Sequence, residues 1–173
     1  LSRHSNPAGL VLTRQNIPTW KRGEGKASGD TFGAATGAGK GGYILAEASF
    51  EGQSVDPQVI LIATGSEVQL AVAARESLQS EGIATRVVSM PCVEWFKEQH
   101  LDYRETVLPS GIKARVSVEA GLSLGWQEFV GDTGRSISLE HYGASADAAR
   151  LFQEFGITTD AVISAAKESL QSL

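Results

Sequence analysis

V-I-L-I-A-T-G-S-E-V-Q-L-A-V-A-A-R-E-S-L-Q-S-E-G, from Val59 to Gly82, is the stretch whose reading decides the fold. Val59 to Ile62 is a short apolar run rich in β-branched side chains, the composition of a strand covered on both faces of a parallel sheet. Thr64-Gly65-Ser66 breaks that run. Ser66 and Gln69 have the spacing of a capping box, which predicts a helix starting here with Val68, Ala71, Val72 and Leu78 on its buried face. Gly82 is placed to end the helix in the left-handed conformation, and Ile83 to Met90 follows with strand alternation. One strand-helix-strand unit is therefore legible, and its crossover is expected to be right-handed.

The same reading extends outward to an α/β fold: a three-layer domain with a mixed, mainly parallel sheet of about five strands flanked by helices. The expected strands are Tyr43 to Ala46, Val59 to Ile62, Thr85 to Ser89, Arg115 to Val118 and Ser136 to Leu139. Pro91 to Leu108 mixes Trp95, Phe96, Leu101, Tyr103 and Val107 with charges, which predicts one or two short amphipathic helices. Trp126 and Phe129 read as packing anchors. Ser145 is expected to cap a short helix buried through Ala148, Leu151, Phe152 and Phe155 and ended by Gly156. Thr158 is expected to cap a last helix, whose stripe of Val162, Ile163, Ala166 and Leu170 should dock on the sheet.

Upstream of this unit, Gly9 to Leu12 reads as a buried strand running to Thr13, with Pro18 stopping it because proline cannot donate to a ladder. Leu1 to Asn6 has no recognisable domain start, so the chain reads as a piece of a longer one. Lys21 to Gly41 changes to Gly, Ala, Ser, Thr and Lys, the composition of a flexible tether. Its G-A-G-K-G-G lacks the preceding strand and the Ser or Thr after lysine that a P-loop needs. The expected division is 1–20 as the tail of a preceding domain, 21–41 as linker and 42–173 as the folded domain.

Several function classes are excluded or disfavoured by composition. Fifteen Lys and Arg against 20 Asp and Glu give a formal charge of -5 with no basic stripe, so no nucleic-acid partner is expected. No apolar run approaches the ~20 residues that span a bilayer, so no membrane role is expected either. The single cysteine, Cys92, rules out an internal disulfide and suits a reducing, cytoplasmic location; it reads as a small core or turn residue rather than a nucleophile. His4, His100 and His141 lack a second histidine or cysteine at metal-ligand spacing. Glu94, Glu98, Asp102 and Glu105 read as a solvated face. Glu119, at a strand end, is either a hydrogen-bonding acid or a site residue, and the structural role is the better reading. Arg14 also sits at a strand end, where α/β proteins place ligand groups. Its guanidinium can grip a phosphate with two parallel hydrogen bonds or pair with a surface carboxylate.

Eight blocks in order carry a resemblance to a family: L-V-L-T-R-Q-N-I-P (10–18), G-G-Y-I-L (41–45), V-I-L-I-A-T-G-S-E-V-Q-L-A-V (59–72), G-I-A-T-R-V-V-S-M-P (82–91), Y-R-E-T-V-L-P (103–109), A-R-V-S-V-E-A-G (114–121), Y-G-A-S-A (142–146) and F-G-I-T (155–158). Together they resemble the C-terminal third of a bacterial-type transketolase. The resemblance implies a parent enzyme of the pentose phosphate pathway that moves a two-carbon ketol unit between sugar phosphates. It also implies thiamine diphosphate and a divalent metal (Mg) in the full-length homodimer, with four parallel strands and one antiparallel here. Gly29-Asp30-Thr31 and Gly131-Asp132-Thr133 are not the family's Gly-Asp-Gly metal-diphosphate signature, so no catalytic, cofactor or metal residue is expected in this chain. Arg14 alone matches a family site position, the arginine that binds the sugar phosphate. Cys92 stands where the family often has serine, and the glycine-rich linker is longer than usual. By this resemblance the chain alone is inactive and supports packing and dimerisation. The alternative is a free-standing regulatory or interaction module of the same domain type, which would not need the Arg14 block.

Overall fold

The computed structural model describes Pro7 and residues 9–173, so residues 1–6 and 8 of the expected 1–20 tail, His4 among them, lie outside the described residues. Its strands are β1 (Tyr43–Ala46), β2 (Ser49–Phe50), β3 (Gln53–Ser54), β4 (Val59–Ala63), β5 (Thr85–Ser89), β6 (Arg115–Val118) and β7 (Arg135–Ile137). The helices are α1 (Val68–Ser80), α2 (Val93–Lys97), α3 (Leu101–Val107), α4 (Gln127–Val130), α5 (Ala148–Glu154) and α6 (Thr159–Gln171).

β4 lies at the centre of a five-stranded sheet of order β1-β5-β4-β6-β7, in which only β1 runs antiparallel to its neighbour. The mixed, mainly parallel three-layer fold is as expected. Every residue of β4 is buried, and the period of two sends its side chains into two separate cores. Val59, Leu61 and Ala63 join Val72 and Leu78 of α1 and Val162 and Ala166 of α6 on one face. Ile60 and Ile62 join Phe96, Val107, Trp126 and Phe129 on the other. Such fully buried aliphatic side chains are each worth roughly 1.5–3 kcal/mol relative to exposure. A strand walled on both sides has no place for a polar residue, which is why this stretch is apolar at successive positions.

α1 buries Val68, Ala71, Val72 and Leu78 as its pattern requires, but it is not opened by a capping box. A 3₁₀ turn over Gly65–Glu67 precedes it, so the chain leaves the extended conformation at Thr64. The Ser66 hydroxyl then donates to Glu67 Oε1 (2.9 Å), while Gln69 Nε2 donates to the Ser66 carbonyl (3.0 Å). The helix ends as expected: Gly82 has φ +84°, and Ile83 N–H donates to the Leu78 carbonyl at 2.9 Å.

The other departures are local. β7 begins one residue earlier than expected and ends at Ile137. Asp147, not Ser145, caps α5 by accepting from Arg150 N–H (3.0 Å), and Leu151, Phe152 and Phe155 are half-buried rather than buried. Thr158 caps α6 by accepting from Ala161 N–H (3.2 Å). The small β2–β3 hairpin was not legible from hydrophobic alternation. Its turn residues Glu51 and Gly52 both have positive φ, which matches the right-handed twist of paired strands.

Residues 21–41 are not a free tether. Gly33 N–H donates to the Leu45 carbonyl of β1 (2.8 Å), Gly29 N–H to Ser54 Oγ (2.8 Å), and Gly23 N–H to the Phe32 carbonyl (2.8 Å). Trp20 and Phe32 lie with ring centroids 5.6 Å apart, tilted by 44°, against the core. This segment therefore covers the outer edge of β1, where an open strand would present unpaired backbone groups. Its small residues reflect close approach: a Cβ at Gly33 would lie 2.5 Å from the Ile44 carbonyl oxygen.

Candidate functional site

The expected strand at Leu10–Thr13 is not formed, because no described strand offers it a ladder. Leu10, Val11 and Leu12 are 85%, 96% and 74% exposed, so three large apolar side chains in succession face outward. Arg14 follows them at a bend shared with Gln15 and is itself exposed. Thr13 Oγ1 contacts Gln15 Oε1 across this bend. A guanidinium is charged at neutral pH, so an exposed Arg14 is a planar donor fork directed at whatever anion approaches.

The second location, singled out by the topology, is the carboxyl ends of the parallel strands. From β4 the chain crosses to β5 on one side, and β6 adds on the other, so the strand order reverses between β4 and β6. Ligands of open α/β sheets bind at such a switch point. Gly65, Ser66 and Glu67 follow β4 there, while Glu119 follows β6. Glu67 is only 7% exposed. Burial pushes its carboxyl above the ordinary carboxylate range, against the opposing pull of a backbone hydrogen bond and the Ser66 hydroxyl, and the Glu119 charge adds to the rise. Glu119 Oε2 accepts from the Trp126 indole N–H at 2.7 Å.

Both carboxyl groups are thus satisfied within the chain, Glu67 by a hydroxyl and Glu119 by an indole. The hydrogen-bonding reading of Glu119 agrees with its geometry. Glu67 was missed because a single acid in a helix-start sequence carries no distinguishing pattern; the signal available was its position directly after a buried strand and a Gly-Ser turn. Among the described residues neither carboxyl group is partnered by Arg14. Among the described residues no group of three or more His, Cys, Asp and Glu could hold a metal ion. No catalytic step is assigned to these residues. Cys92 is half-buried; its N–H donates to the Gly41 carbonyl (2.9 Å) and its carbonyl accepts from Phe96 N–H (3.1 Å). Glu94, Glu98, Asp102 and Glu105 are exposed, as a solvated face should be. No helix among the described residues is long and apolar enough to cross a membrane.

Comparison with known proteins bears on what this arrangement belongs to. Residues 41–158 match the model of the transketolase-like TK C-terminal domain. A transketolase of Mycobacterium leprae is 50% identical over 169 residues, which are 98% of this chain and 23% of that protein. The chloroplastic transketolase of Solanum tuberosum is 46% identical over 96% of this chain and 21% of its own length. Among solved structures, a transketolase from Leishmania mexicana superposes with a TM-score of 0.70 at 37% identity, covering 84% of this chain and 20% of that one. A Pichia stipitis transketolase in complex with sedoheptulose-7-phosphate gives a TM-score of 0.69 at 33% identity, again over 84% of this chain and 20% of the other. The chain spans about a quarter or less of the length of these relatives.

Proposed function

The chain belongs to the transketolase family, and from that premise we propose that it is the C-terminal part of an enzyme transferring a two-carbon ketol unit between sugar phosphates. The observation that carries this reading is the match of 98% of the chain, at 50% identity, to one continuous stretch of a named transketolase. In the proposed division, residues 1–20 complete a preceding domain, 21–41 connect, and 42–173 form the C-terminal domain. Thiamine diphosphate supplies the carbanion chemistry of ketol transfer when bound, and it and a divalent metal are held by the remainder of the full-length homodimer. The parent acts in the cytoplasmic pentose phosphate pathway.

Within this reading the chain contributes Arg14, whose guanidinium binds the phosphate of the sugar. The exposure of Leu10, Val11 and Leu12 supports placing this stretch against a domain beyond the chain, because a module complete in itself would expose three successive apolar side chains without benefit. The sugar-phosphate class is supported by the sedoheptulose-7-phosphate held by the Pichia stipitis relative.

Two measurements test the proposal. The full-length parent, supplied with thiamine diphosphate and magnesium, is expected to transfer a ketol unit from a ketose phosphate to an aldose phosphate. The 173-residue chain titrated with the same cofactor and metal is expected to give no saturable heat. A parent without transfer activity would defeat the reading, and micromolar cofactor binding by the chain alone would defeat the assignment of that site to other domains.

A further inference from the structure

The segment that covers the β1 edge also lines an open cavity of about 390 Å³, within the range that accepts a small molecule. Its roof includes Lys26, Thr36 and Lys40, and its floor is formed by Tyr43 of β1 with Tyr103 and Val107 of α3. The lining is mainly apolar and aromatic, with Lys26, Thr36 and Lys40 among its exposed polar residues. The two tyrosine hydroxyls are already engaged away from a ligand: Tyr43 accepts from Arg22 Nη1 (2.8 Å) and Tyr103 donates to the Gly42 carbonyl (2.8 Å). Their rings therefore serve as fixed apolar walls.

The lysines are the unmatched element. Among the described residues neither Lys26 nor Lys40 has a carboxylate in ion-pair range, whereas Lys97 and Lys167 do. Lys40 Nζ instead lies 4.1 Å from the centroid of the Tyr103 ring, a cation–π contact that holds its ammonium at the cavity. Among the described residues no acid lines the cavity to oppose an incoming negative charge. The same G-A-G-K sequence that fails as a P-loop thus places its lysine beside an aromatic floor.

We propose that this cavity binds a small organic anion, with its apolar body against the apolar lining and a phosphate or carboxylate at the ammonium groups of Lys26 and Lys40. An anion placed there leaves the Lys40–Tyr103 contact intact, since the ring occupies one side of the ammonium and the anion another. The site is independent of Arg14 and of ketol transfer.

The test uses 1-naphthyl phosphate, 1-naphthoate, neutral 1-naphthol and inorganic phosphate as probes on the 173-residue chain, read by backbone amide chemical shifts and calorimetry. Saturable binding of either naphthyl anion is expected, with shifts at residues 25–44 and 103–107; a phosphate preference or a carboxylate preference names the anion. Inorganic phosphate alone should bind at least tenfold more weakly. Lys26→Gln with Lys40→Gln should weaken the naphthyl anion about tenfold while unfolding in urea stays a single cooperative transition with only the small loss expected of the exposed Lys40–Tyr103 contact. Absence of saturable binding by both anions, shifts confined to other residues, or equal affinity in the double variant would each overturn the site.

Discussion

Arg86 of β5 grips Glu47 with two prongs, Nε to Oε1 at 2.7 Å and Nη2 to Oε2 at 3.1 Å, with the two side chains only 10% and 13% exposed. The remaining guanidinium nitrogen, Nη1, donates to the Thr106 and Val107 carbonyls at the end of α3 (2.9 and 3.2 Å). One side chain thereby ties the strand following the central helix to the loop after β1 and to the opposite layer. The Glu47 backbone carbonyl is also held, by Arg75 Nε and Nη2 of α1.

Removing one partner of a buried, hydrogen-bonded pair leaves the other charge uncompensated, which costs about 3–5 kcal/mol. Arg86→Ala is therefore expected to lower the urea unfolding free energy by that amount. Arg86→Ala together with Glu47→Ala should cost less than the sum of the two single changes. Additivity within about 0.5 kcal/mol would show that the two groups do not act as a pair.

Gly41 and Gly82 both have positive φ, +82° and +84°, yet they differ in surroundings. A Cβ at Gly41 would meet the Cys92 carbonyl oxygen and Phe96 N at 2.3 Å each, while one at Gly82 meets nothing within 4 Å. Gly82→Ala should cost only the left-handed penalty of about 1–2 kcal/mol. Gly41→Ala should cost about 3 kcal/mol or more, since backbone must also shift. Equal thermal melting losses for the two variants would mean that the close approach at Gly41 relaxes freely.

The raised Glu67 pKa makes a signed prediction for pH. Its folded value lies above the ordinary carboxylate value of 4.5, so between the two the folded chain holds more protons than the unfolded one. Stability from this group is then greatest below the unfolded pKa and is lost as pH rises through the folded pKa. Glu67→Gln, which keeps an acceptor for the Ser66 hydroxyl, should remove that loss and gain stability relative to the unsubstituted chain as pH rises above 4.5. Urea unfolding across this range decides the matter. A variant equally destabilised at every pH would mean that the carboxyl is held charged.

Arg14→Ala in the full-length parent should raise KM for phosphorylated substrates about 10- to 150-fold, the worth of one hydrogen bond to a charged group at roughly 1.5–3 kcal/mol. The phosphate is remote from the reacting carbonyl, so kcat should fall much less, and hydroxypyruvate, which has no phosphate, should be used almost as well as before. Lysine in place of Arg14 should restore only part of the loss, because it offers a point charge instead of a planar fork. Equal losses for phosphorylated and non-phosphorylated donors would assign Arg14 to the fold.

The central part of this molecule was determined by sequence alone, because each signal there is local. The apolar run of β4, the stripe of α1 and the positive-φ Gly82 all answer to nearest neighbours in the chain, and the structure places them where the pattern does. Ordered motif blocks likewise identified the family, since several matches in register are far more specific than one. Tertiary structure decided what depends on partners distant in sequence. Leu10–Thr13 has the composition of a strand, but a strand exists only beside another, and no described strand pairs with it. Residues 21–41 have the composition of a tether, yet Gly33 reaches the Leu45 carbonyl because a segment of small residues can approach an open sheet edge closely. Glu67 and Glu119 are 52 positions apart, and only the reversal of strand order between β4 and β6 sets their charges against one another. The Lys26 and Lys40 cavity arises in the same way, from a loop folded onto a strand and a helix whose sequences carry no trace of it.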